Sequence, residues 1–256
     1  MVGLVRNQLQ VVSALVIREM QSQQANLAYG YGWVFFDAFL SFAGLLIMRL
    51  EIRGFNRPGI PVIMFLITGL MPWLLFHASY SAPSAAVSKG KALLELPQVT
   101  ELDLIFASAI RILITFSILF LILSFLDTFY EGLLPPRVPV AIFCLFFSMS
   151  LFGTSLGILL MVLNRLYLPA GKFVNFFMRF SMIFSGVVFQ ITMFPPSIWP
   201  YLTWNPLLHV EELMRADWFY SYQTPVGSPS YVAECLLGLV FFGLVVERYA
   251  RRRVPA

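Results

Sequence analysis

Charge is scarce in this chain. Of its 256 residues only 12% are Asp, Glu, Lys or Arg, about half the share an ordinary soluble domain carries. A water-facing shell cannot be drawn from so few ions. Apolar residues make up 59%, and the mean hydropathy is +0.81. Cysteine is nearly absent as well: Cys144 and Cys235 are the only two, and both lie in apolar runs. A disulfide framework is therefore not expected. With two histidines beside them, neither is a structural zinc cluster.

Several chemical motifs are missing. No G-x-x-x-x-G-K-[ST] run occurs, since Gly90-Lys91 and Gly171-Lys172 lack both the upstream glycine and the following hydroxyl residue. The chain thus carries no phosphate-cradling loop of its own, and any ATP it uses must be bound by another subunit. No H-E-x-x-H occurs, and His77 and His209 read as packing or hydrogen-bonding residues. The run from Val11 to Ile17 is short, is followed at once by Arg18 and Glu19, and leads to no small-residue cleavage site. A cleaved leader is not expected from it.

What the chain has in abundance is long apolar runs. A helix needs roughly 20 such residues to cross a bilayer. Six stretches are expected to do so, at about 29–49, 61–82, 103–126, 138–163, 173–194 and 231–248, with prolines such as Pro58, Pro135, Pro169 and Pro195 near their ends. The expected fold is all-α and polytopic: an amphipathic segment over 1–27, then a six-span domain over 28–256. In the first segment Val5, Leu9, Val12, Val16 and Met20 share one stripe at helical spacing. That suits a helix lying in the membrane surface, or an ordinary lead-in to the first span.

Lys and Arg set the orientation. With both termini in the cytoplasm, 12 of the 17 fall on the inner side and five on the outer. Arg49, Arg53 and Arg57 break the rule together in one outer loop. The loop 83–102 is then cytoplasmic, and its middle, from Ser88 to Pro97, is suited to a short helix that docks on a partner. The stretch 195–230 is too polar to span and too aromatic for a plain loop, with Trp199, Tyr201, Trp204, Trp218, Tyr220 and Tyr222 crowded into it. Two short re-entrant helices before the last span would fit, provided protein or water surrounds the broken backbone. The aromatics would serve as an interface belt or as a stacking ring for sugars.

Two further features each read in two ways. Gly153-Thr154-Ser155-Leu156-Gly157 matches the G-x-S-x-G nucleophile elbow, which needs a strand-turn-helix setting. Inside an apolar helix the same residues are a G-x-x-x-G packing face. Asp37, inside the first span, is a structural anchor or part of a substrate path if it is buried. If it lies close to the interface, it is simply hydrated.

At this point the motifs resemble a family. Arg18-Glu19 closes the surface helix. Gly30-Tyr31-Gly32-Trp33-Val34-Phe35-Phe36-Asp37 resembles a Gly-Tyr-x-Trp-x-x-x-acidic signature at the start of span one. Pro58-Gly59-Ile60, then Phe65-Leu66-Ile67-Thr68-Gly69-Leu70-Met71-Pro72-Trp73, resembles the second span. Tyr201-Leu202-Thr203-Trp204-Asn205-Pro206-Leu207-Leu208-His209 with Glu212 and Arg215 resembles the stretch before the last span. Together, over nearly the whole chain, these are similar to the membrane subunits of ATP-binding-cassette exporters of capsular polysaccharide and O-antigen, the capsule branch above all. Asp37 stands where capsule permeases often carry glutamate, and Ala38 where a proline is usual.

The resemblance implies a non-catalytic half-transporter of the bacterial inner membrane. A second copy of the chain and a pair of cytoplasmic ATPase subunits, which bind the ATP and Mg, would complete it. A periplasmic co-polymerase and an outer-membrane channel are implied as further partners. The cargo would be a lipid-linked polysaccharide. The loop around 88–97 would be the coupling helix, with Lys89, Lys91, Leu93, Leu94 and Glu95 facing the ATPase. Arg6, Arg18, Arg165 and Arg179 would steer an acidic polymer, unless they only obey the positive-inside rule. Trp33, Asp37, Tyr201 and Trp204 would line its path. No catalytic residue, metal or nucleic-acid site is implied. Two other functions stay open: a membrane enzyme that modifies glycolipids, and an exporter of small lipids or drugs. The enzyme would need acids at one membrane face, but Asp127, Glu131, Glu211, Glu212 and Asp217 read as solvated loop charges.

Overall fold

The computed structural model describes residues 2–24, 36, 39–44, 47, 60–166 and 168–253. Among them every regular element is a helix. Helix α1 is Val2–Gln24, α2 Val62–Lys89, α3 Glu101–Glu131, α4 Pro139–Leu166 and α5 Leu168–Phe184. Two short elements follow, α6 Trp199–Leu202 and α7 Pro206–Trp218, before α8 Pro229–Arg253.

Among the described residues four helices are long and apolar enough to cross a membrane: α2, α3, α4 and the Pro229–Ala250 part of α8. They divide by exposure. Most of the apolar stretch of α2 and α4 is buried, whereas most of α3 and nearly all of α8 faces outward. Helix α2 is thus the centre of the bundle, with α4 against it. The contact is close because of two glycines. A Cβ on Gly153 would run into the Phe76 carbonyl, and one on Gly157 into that of Tyr80. Ser79 Oγ and Ser150 Oγ meet across the same seam at 3.3 Å. The G-x-S-x-G motif is therefore a helix-packing face, and Ser155 sits buried in mid-helix.

Helix α1 meets α2 and α3 along a face that includes Val16 of the expected stripe. Leu15 is its buried residue, seated with Val11 and Val16 against Ala86, Leu104 and Ala107 of α2 and α3. Val12 and Met20 are only half-buried.

The expected first span, 29–49, lies mostly outside the described residues; 39–44 are helical. The expected fifth span, 173–194, differs. Helix α5 ends at Phe184, and its 17 residues reach about 26 Å, short of the roughly 30 Å apolar core of a bilayer. The chain then turns at Gly186, where φ is +79°. Glycine is suited to that left-handed backbone. Val187 and Val188, next in line, are fully buried although they are not helical.

The connections fall at two opposite ends of the bundle. One end holds α1, residues 90–100 and the C-terminus of α4. The other holds Pro61, the Gly132–Val138 link and the end of α7, where Val138 N–H donates to Asp217 O at 3.0 Å.

Candidate functional site

At the first end, the loop between α2 and α3 is braced on two sides. Its 3₁₀ turn Lys91–Leu93 presents Lys89, Lys91 and Glu95 outward, while Leu93 and Leu94 are half-buried. Leu93 packs with the Leu15 cluster of α1, and Leu94 reaches both that cluster and a second one with Ile158 and Met161 of α4. The loop exits through a cap. Thr100 Oγ1 accepts from Asp103 N–H, and the Asp103 carboxylate accepts from Thr100 N–H at 2.8 Å. This reciprocal pair satisfies two orphan donors of a helix start. The other oxygen of Asp103 accepts from the Gln8 side chain on α1. Next to it, Arg165 donates both guanidinium arms to Glu101, at 3.2 and 2.9 Å, the bidentate geometry that gives such pairs direction. About two turns further along α3 and three along α1, Arg111 meets Glu19 at 3.3 Å.

Of the residues expected to steer an acidic polymer, Arg165 is thus spoken for by Glu101. Arg18 is exposed on α1. The side chains of Arg6 and Arg179, and the whole of Trp33 and Asp37, lie outside what is described. Glu101, Asp103 and Gln8 were not singled out by the sequence. The Thr100-x-x-Asp103 spacing was the one available signal.

The second end is built around ions that do not touch water. Asn205 caps α7 by accepting from Leu207 N–H at 3.1 Å, and Pro206 takes the first helical position. This sets Glu211, Glu212 and Arg215 facing inward, each with no exposure. That corrects the solvated-loop reading of Glu211 and Glu212: the helix carrying them is packed over the broken backbone at 185–191. Arg215 donates to Val187 O at 2.7 Å and Phe189 O at 3.4 Å. Its guanidinium carbon lies 3.8 Å from the Phe65 ring centroid, within cation–π range. Glu212 accepts from Ile191 N–H at 3.2 Å and from the Tyr222 hydroxyl at 2.7 Å, and lies 4.0 Å from Arg215. Side chains of α7 thereby satisfy carbonyl and amide groups freed where α5 stops, the condition for non-helical backbone in an apolar setting.

Glu211 is different. Neither carboxylate oxygen has a hydrogen-bond partner among the described residues. Burial pushes its carboxyl well above the usual range; Arg215 pulls it back in part and Glu212 adds to the rise. Burial likewise pushes the Tyr222 phenol up. Burial and Glu212 thus favour the neutral acid at 211, against the pull of Arg215.

His209 joins the two flanks of the segment. Its Nδ1 accepts from Ser228 N–H at 3.3 Å, which leaves Nε2 to donate to Thr203 O at 2.7 Å. Tyr201 and Trp204 remain 76% and 74% exposed. Both line a cavity of about 1170 Å³ enclosed by Phe76, Phe152, Phe177 and Phe242 from four helices. Among the described residues no group of three or more His, Cys, Asp or Glu is placed to hold a metal.

No family model matches the chain. It is, however, similar end to end to several known proteins. It is 26% identical to a polysialic acid transport protein, KpsM, of Escherichia coli, over 93% of this chain and 92% of that protein. It is 25% identical to the capsule polysaccharide export inner-membrane protein CtrC of Neisseria meningitidis, over 97% and 94%. Haemophilus influenzae BexB, another capsule polysaccharide export inner-membrane protein, is 21% identical over 93% and 90%. The chain is a homologue, along almost its whole length, of the inner-membrane proteins of capsule polysaccharide export.

Proposed function

We propose that this chain is the membrane subunit of an ATP-driven exporter that moves lipid-linked capsular polysaccharide across a bacterial inner membrane. The observation that carries this reading is the end-to-end likeness to proteins named for that export. The composition fits it, with four crossing helices described and no phosphate-binding loop anywhere in the sequence. In this reading the chain crosses six times with both termini in the cytoplasm, α1 lies in the inner membrane surface, and α6 and α7 are re-entrant from the outside. Two copies pair, each docks one ATPase subunit on Lys89, Lys91 and Glu95, and a periplasmic co-polymerase and outer-membrane channel receive the polymer.

The bracing of the 90–100 loop supports the docking role. Force applied to Leu93 and Leu94 passes directly into α1 and α4. The aromatic cavity behind Tyr201 and Trp204 suits stacking on sugar rings at the exit. The glycolipid-enzyme reading is less well supported, because Glu212 is taken up by Ile191 and Tyr222 and Glu211 is sealed from solvent.

Deletion of the chain should leave polymer trapped inside the cell, and affinity-tagged chain should bring down an ATPase with a phosphate-binding loop. Surface polymer at normal levels in the deletion strain would end this proposal.

A further inference from the structure

A second cavity, of about 640 Å³, lies on the opposite flank from the aromatic one. It is a groove between residues 39–42, α2 and α3, lined by Phe39, Phe42, Ile67, Leu119 and Leu123. One acid breaks its apolar wall. Asp127 lines the groove, is 7% exposed, and its Oδ2 has no hydrogen-bond partner among the described residues. One turn deeper on the same face of α3, Ser124 is 4% exposed and its Oγ is likewise without a partner. Two unmatched buried polar groups one turn apart on α3, of which Asp127 lines the groove, are costly to leave so, and the acid calls for a donor from outside the described residues.

The dimensions and charge say which. From Leu119 to Tyr130 the groove follows α3 over 12 residues, a rise of about 16 Å, close to the depth of one leaflet, about half of a 30 Å apolar core. The acid sits near the end of the helix, where the chain meets water, and the apolar lining runs inward from it. Glu131, exposed one turn beyond, adds a second negative charge. Phe125 and Phe129 beside the groove are 69% and 82% exposed, so this flank faces the hydrocarbon. An occupant must bring N–H donors and positive charge at the top and a hydrocarbon tail below.

We infer that this groove is a binding site for one phospholipid with a primary-amine head group, phosphatidylethanolamine in the first instance, its ammonium on Asp127 and one acyl chain along Leu119 and Leu123. The Tyr130 hydroxyl, at the mouth, is placed to donate to the phosphate. A quaternary choline head group has no N–H to give and an anionic glycerol head group is repelled, so the site discriminates among lipids. Which leaflet it samples rests on the orientation proposed above; the site itself does not.

The full-length chain, purified and reconstituted in nanodiscs of equal parts phosphatidylethanolamine, phosphatidylcholine and phosphatidylglycerol, is to be released and weighed intact with its retained lipid. Wild type should retain phosphatidylethanolamine about tenfold over phosphatidylcholine, the factor one charge-assisted hydrogen bond supplies. Asp127→Asn should abolish that preference, and Glu131→Gln should leave most of it. Leu123→Trp, which fills the groove without touching the acid, should lower retention of every lipid. Thermal unfolding in nanodiscs with and without phosphatidylethanolamine separates the other occupant, a cationic side chain of this protein. If Asp127→Asn destabilises equally in both, the partner is internal and the inference is overturned. Equal retention of the three lipids by wild type overturns it as well.

Discussion

The guanidinium of Arg215 occupies the space a side chain on Gly69 would need. A Cβ there would lie 2.6 Å from Arg215 Nη2 and 2.7 Å from Val187 O. The glycine of the second helix and the arginine before the last one are therefore two halves of one joint, and the broken backbone at 187–189 is the piece they clamp.

Gly69→Ala should consequently push Arg215 off its carbonyls. The expected loss is roughly 3 kcal/mol, where overpacking and the breaking of a buried ion pair meet, read as a lower unfolding midpoint in detergent. An equal midpoint for the variant would mean that the seat can relax.

Glu211 gives a pH dependence with a definite sign. An unfolded glutamate gives up its proton near 4.5, and folded Glu211 keeps it to higher pH. Its contribution to stability is thus complete below about pH 4.5 and falls as pH rises toward the raised folded value. Unfolding midpoints followed over pH should decline for wild type in this window. Glu211→Gln, which cannot ionise, should flatten the decline and match or exceed wild type at the alkaline end.

The Arg165–Glu101 pair should matter for coupling more than for folding. Both side chains are only partly exposed, and the pair links the exit of the 90–100 loop to α4. Glu101→Gln should leave ATP hydrolysis by the assembled exporter largely intact while surface polymer falls. The swap Glu101→Arg with Arg165→Glu should restore part of it. Restoration of surface polymer by raised expression of Glu101→Gln alone would assign the pair a purely structural part.

Tyr201→Ala and Trp204→Ala should lower surface polymer more than they lower protein level. Both rings are exposed at the mouth of the aromatic cavity, and an exposed ring contributes little to folding. Immunoblots beside capsule staining read the two quantities. A fall in strict proportion would make the rings structural.

How much of this was legible in advance differs by element. The apolar runs announced α2, α3, α4 and α8, because length and hydropathy suffice for a spanning helix. The Gly153/Gly157 face was legible as well, since no strand-turn-helix could surround it. The end of α5 was not. Residues 185–191 are as apolar as the helix before them; Gly186 turns the chain, and what holds the non-helical backbone beyond it is a donor at Arg215, 28 residues on from Val187. Local pattern does not register so distant a partner. The same distance hid Glu211 and Glu212. A 13-residue helix bearing three acids and an arginine reads as a wet surface until the carbonyls it serves are known. Leu15 was passed over for a simpler reason: it stands one residue before Val16, just outside the apolar stripe, and the face that meets α2 and α3 takes in both.

The seam between α2 and α4 has a mechanical consequence. At Gly153 and Gly157 the two helices touch backbone to backbone with no side chain between them to change rotamer, and neither can roll over the other without those contacts opening. The two therefore act as one rigid mast. A transport cycle must leave that mast standing and take its motion from α1, α3, α5 and α8, which are rigged around it.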